Sequence, residues 1–138
     1  MKTTETTSAK DSTMKTTIEM RAELAFHAKM AKKAYEDAQT KFITNFSSNP
    51  VSTISWEAED MVKAQAAYEV WMRIDLAIAE HHPAEVLRVN LEDMQYRVRS
   101  FFGSNSTSIF SNAVERAKAE ASLKLAETLT GLAKHFGI

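Results

Sequence analysis

Apolar side chains recur along most of this chain at spacings of four and three residues, the repeat of one face of an α-helix. Leu24, Ala28, Ala31, Tyr35, Ala38 and Phe42 form the first stripe. It predicts a helix from near Thr16, where Thr16-x-x-Glu19 has the form of a capping box, to about Phe46. The pattern stops at Ser47-Ser48-Asn49-Pro50, which reads as a loop. A second stripe, Ala64, Ala67, Trp71, Ile74 and Ile78, predicts a helix from Ser55 or Trp56 to about His82, with Glu57, Glu59 and Asp60 favourably placed in its first turns. Val62, Ala66, Val70 and Leu76 lie beside that stripe, so this helix is apolar over a wide arc.

Leu87, Leu91, Met94, Val98 and Phe101 mark a third helix. Pro83 stands where its missing N–H costs nothing, and Gly103 stands where a left-handed residue would end the helix. Between the second and third helices a tight turn is expected, because a single kinked rod would be long for a chain of this size. Val114, Ala117, Ala121, Leu125, Leu129, Leu132 and Phe136 carry the last stripe, starting at Ser108 or at Asn112. No segment alternates as a half-buried strand does. Four long helices joined by short connections predict an all-α, antiparallel up-down-up-down four-helix bundle.

Residues 1–15 carry almost nothing apolar, so burial cannot repay their ordering, and a flexible Thr/Ser-rich tail is expected ahead of one domain over 16–138. Met1-Lys2-Thr3-Thr4 recurs as Met14-Lys15-Thr16-Thr17, an echo that chance explains in so Thr-rich a stretch. With 138 residues the chain is long enough to bury a core without staples. It has no cysteine, which excludes disulfides and thiolate metal sites and suits a reducing, cytoplasmic setting. The segment Met1–Thr7 lacks the apolar core of a secretory signal, and no apolar run is long enough to span a bilayer.

The formal charge is −1, but it is unevenly spread. Residues 1–50 and 94–138 carry +2 and +3, and residues 51–93 carry −6. Basic outer helices attracting acidic inner ones account for this, and the modest clusters Lys29/Lys32/Lys33 and Arg97/Arg99 fall short of a nucleic-acid stripe. The amphipathic last helix has a nearly neutral polar face, so a core position is expected rather than a membrane surface.

Catalytic chemistry is hard to place. A di-iron bundle needs Glu-x-x-His on two helices, and the sequence has none. Glu23 and His27, at i and i+4, make at most half a metal site. His81 and His82 sit where a helix C-terminus would favour imidazolium. Nucleophile elbows and phosphate-binding loops need glycine that the chain lacks. These features predict no metal, no cofactor and a non-enzymatic protein-interaction module, in the manner of a small phage-type accessory or inhibitor protein. The wide arc of the second helix predicts a homo-oligomer as well as a protein partner. The alternative is a small-ligand or nucleotide-binding bundle, which would show a buried, unpaired Arg73 or Arg97.

The candidate binding site is aromatic. In an up-down-up-down bundle the first and third connections lie at one end. That brings together Phe46, Trp56, Phe101, Phe102 and Phe110, with Phe42 beside them. As a cap these rings would fill the core where the helices splay. As a platform they would take a partner's side chain or a stacked base.

Overall fold

The computed structural model describes the backbone of residues 2–102 and 113–138, and the side chains of 16–101 and 113–138. Every regular element among them is helical: α1 (Lys2–Ser48), α2 (Pro50–Trp56), α3 (Ala58–Ile78), α4 (Pro83–Phe102) and α5 (Ala113–Phe136).

α1 starts at Lys2, so residues 2–15, expected as a tail, continue the helix. They contain no proline or glycine, and extending an existing helix gains a hydrogen bond for each residue fixed. α1 therefore runs through Thr16-x-x-Glu19, leaving no helix start there to cap. At 47 residues it is about 70 Å long.

The expected loop after α1 is also corrected, because its residues form α2. The Asn49 side chain accepts a hydrogen bond from the Ser52 N–H, and Pro50 follows as a donor-free first residue. The Thr53 hydroxyl closes the turn by donating to the Asn49 carbonyl at 2.7 Å. Glu57 ends α2 by donating its N–H to the Thr53 carbonyl at 2.8 Å, and α3 begins at the next residue. A tight turn joins α3 to α4, with the His81 N–H on the Ala77 carbonyl at 2.9 Å. The start of α5 at Ser108 or Asn112 and the Gly103 stop lie outside the described residues.

Side-chain pairs give the helix directions. Along α1 and α3, Arg21 donates to the Ile78 carbonyl, His27 stacks on Trp71, Tyr35 stacks on Tyr68, and Asn45 donates to Glu57. Ascending residues meet descending ones, so the two helices are antiparallel. Glu59 pairs with Arg116 and Lys63 with Glu120, so α3 and α5 run parallel. α5 lies against both α3 and α4, whereas α3 and α4 touch much less.

The core is contiguous. Leu24 and Ala28 of α1 meet Val70, Trp71, Ile74 and Ile78 of α3, Leu87 and Met94 of α4, and Leu125, Leu129 and Leu132 of α5. Each fully buried leucine stabilises the fold by about 1.5–3 kcal/mol through removal of apolar surface from water. Among the described residues the buried side-chain amide is that of Asn90, which donates to the Val86 carbonyl at 2.8 Å, so its burial leaves that donor satisfied.

Candidate functional site

α2 is inside out. A short helix packed on a core normally buries its apolar side chains, yet here Thr53 is 3 % exposed while Val51, Ile54 and Trp56 are 76 %, 57 % and 77 % exposed. Thr53 can turn inward because its hydroxyl already has a backbone acceptor. Val51 and Ile54, three apart, then share the outward side of the helix. Ile43 and Phe46, exposed at the end of α1, border this corner, and Phe46 stacks on Phe42 with centroids 5.9 Å apart.

A polar pair lies under the same corner. Asn45 Nδ2 donates to Glu57 Oε1 at 2.5 Å. The other carboxylate oxygen, Oε2, is buried with no hydrogen bond among the described residues. An unmet acceptor of this kind costs desolvation energy that a partner's donor could recover.

Three of the five expected aromatic side chains are described. Phe46 and Trp56 belong to the α1–α2 corner. Phe101 is half-buried and lines a cleft on a different face of α3, beside Val62 and Val114. The Phe102 side chain and Phe110 lie outside the described residues. Val51, Ile54 and Ile43 were missed by sequence reasoning. A signal existed: Asn49-Pro50 is a cap followed by a first helical residue.

The other candidate residues make the following contacts. His27 lies 3.5 Å from Glu23 and stacks flat on Trp71, centroids 5.0 Å apart. Among the described residues no group of three or more His, Asp and Glu side chains could hold a metal ion. His82 does not close α3. It opens α4, its Nδ1 accepting the Ala84 N–H at 3.2 Å. Arg73 and Arg97 are not buried and unpaired; each is about half exposed and both reach Asp93, at 3.7 and 3.3 Å. Across α3 and α5, Lys63 Nζ lies 2.6 Å from Glu120. That hydrogen bond holds the ammonium above its ordinary pKa and the carboxyl below its own. None of the described helices is long and apolar enough to cross a membrane.

No protein-family model, curated protein or solved structure matches the chain.

Proposed function

We propose that this chain is a non-enzymatic interaction module that binds a protein partner through the α1–α2 corner. The carrying observation is the inverted α2, which presents Val51, Ile54 and Trp56 outward. Trp56 is the anchor: aromatic side chains dominate the binding energy of protein interfaces when a partner desolvates them. The partner would bring an apolar pocket for the indole. The scaffold in this reading is an antiparallel four-helix bundle of α1, α3, α4 and α5 within one domain over residues 16–138. The paired residues along α1/α3 and the tight α3–α4 turn support it. A cytoplasmic location fits a chain without cysteine. A role as a phage-type accessory or inhibitor protein fits its small size and the absence of catalytic motifs.

Self-association belongs to the same reading, but its basis shifts. Val70 of the α3 arc is buried, and Val62 and Ala66 face the cleft beside α5, leaving Leu76 as the exposed remainder. The α2 corner is the better surface for a second copy. Sedimentation equilibrium of the wild type and of Ile54→Ser/Trp56→Ser tests this, together with crosslinking capture of host proteins. The double variant should remain folded and lose both self-association and capture. If it keeps every contact, the corner is not the binding face.

A further inference from the structure

α3 and α4 part company beyond their turn because α5 sits between them, and the space they leave is a cleft of about 680 Å³. It follows α3 from Val62 to Arg73, roughly 16 Å at the rise of an α-helix. This volume is in the range of small-molecule sites, which combine an apolar lining with a few fixed polar groups. The core beneath is closed: Val70 and Leu125 are buried and seal the floor.

The two ends of the cleft differ chemically. Near the start of α3 the walls are Val62, Phe101 and Val114. At the other end stand Arg73 and Arg97, whose guanidinium groups share one oxygen of Asp93. Two cations on one carboxylate leave a positive charge uncompensated. Lys118, level with Val62 in the register of the Glu59–Arg116 and Lys63–Glu120 pairs, is on the rim near the apolar end. Among the described residues Glu69, one turn from Arg73, is the acidic residue of the wall, and it accepts a hydrogen bond from Gln65 at 3.4 Å. In the floor, Ser122 is only 7 % exposed.

The geometry points to a binding site in the α3–α4–α5 cleft for a small anionic amphiphile. Its acidic head would lie on Arg73 and Arg97, with Ser122 within the floor, and its apolar chain against Val62, Phe101 and Val114. Arginine suits this role, because its planar fork matches a carboxylate or phosphate oxygen pair and stays charged. The apolar end supplies affinity by desolvation, and the guanidinium end sets the sign of charge accepted. The site is separate from the α1–α2 corner and does not depend on the protein-contact reading.

Decanoate is the probe, titrated into the full chain below its aggregation concentration and followed by calorimetry and by amide chemical shifts. It should bind at one site, shifting amides of α3, α4 and α5 and leaving α2 unmoved. Decylammonium, with the same chain and the opposite charge, and acetate, a head without a chain, should each bind at least about tenfold more weakly. Arg73→Gln/Arg97→Gln should weaken decanoate about tenfold while the melting temperature holds, since both side chains are half exposed. Ala66→Leu, which fills the cleft without touching the charges, should weaken it too. Equal binding of decylammonium, an unchanged affinity in the double arginine variant, or shifts confined to the α2 corner would each overturn the assignment. So would co-sedimentation with phosphatidylglycerol vesicles in the absence of decanoate binding, which would move the anionic chemistry to a lipid surface.

Discussion

Leu129 offers the sharpest test of the packing. It is completely buried at the contact of α5 with the core, among Leu125, Leu132 and Ala133. Replacing it with alanine removes three carbons from a site with no solvent-facing side, so neighbours can collapse only in part. Lost transfer energy and the residual cavity together cost about 3 kcal/mol at such positions. For 138 residues the unfolding entropy near the midpoint is about 0.3 kcal/mol per kelvin, so the melting temperature should fall by about 10 °C. Leu123→Ala is the internal control. It makes the same chemical change on the same helix, but at a position 39 % exposed, and should cost less than about 1 kcal/mol. Thermal unfolding followed by circular dichroism reads both. Similar small losses in the two variants would mean that α5 does not seal the core, and would return its amphipathic face to a membrane-surface reading.

Trp56→Ala should leave the melting temperature within about 2 °C of wild type, because the indole is 77 % exposed; a fall matching that of Leu129→Ala would make Trp56 a core cap after all. Deleting residues 1–13 should shift stability by less than about 0.5 kcal/mol while reducing ellipticity, since Met20 is the first buried side chain described on α1; a large loss of stability would show that this end of α1 docks. The Lys63–Glu120 pair should favour the fold between two pH limits. The folded carboxyl titrates below its unfolded value, so its contribution is present above about pH 4.5 and fades as pH falls through the lowered pKa. The folded ammonium titrates above its unfolded value, so its contribution is complete below about pH 10.5 and fades as pH rises through the raised one. A stability–pH curve for Lys63→Met that parallels wild type at both limits would contradict this.

Much of the helical framework was legible because the apolar period is carried by residues with little freedom to be elsewhere. Leu24, Ile74, Leu87, Met94 and Leu129 all lie on the stripes read from spacing, and all are completely buried. Pro83 at a helix start was equally readable, since its ring excludes most other positions. Boundaries set by competition were not. Residues 2–15 carry almost nothing apolar that could announce a helix, yet nothing in them interrupts a helix already formed. The α2 turn was hidden because a seven-residue helix is too short to show a period, and its inward side is made by Thr53 rather than by an apolar residue. Phe46 and Trp56 lie at the α1–α2 corner and Phe101 lines the cleft beside α3, because nearness to the same connections does not make residues share a face.

Which helices neighbour each other depended on side-chain size rather than on connection length. Short connections favour a ring in which each helix touches the next, and that would pair α3 with α4. The residues of α5 favour another arrangement. Ala117, Ala119, Ala121, Ala126 and Ala133 are all buried, and so many small side chains let a helix approach two neighbours closely. α5 takes that position, running parallel to α3 with the ion pairs Glu59–Arg116 and Lys63–Glu120 along the seam. These surface pairs contribute little energy individually, so they mark the register rather than drive it. Burial of Val70 and Leu125 stabilises the seam more strongly than they do. The same insertion explains two features at once. It covers much of the apolar arc of α3 that would otherwise demand an outside partner, and it holds α3 and α4 apart, opening the cleft between Val62 and Arg73. Self-association through α3 and a groove beside α3 are therefore competing outcomes of one packing choice, and the burial of Val70 against α5 favours the groove.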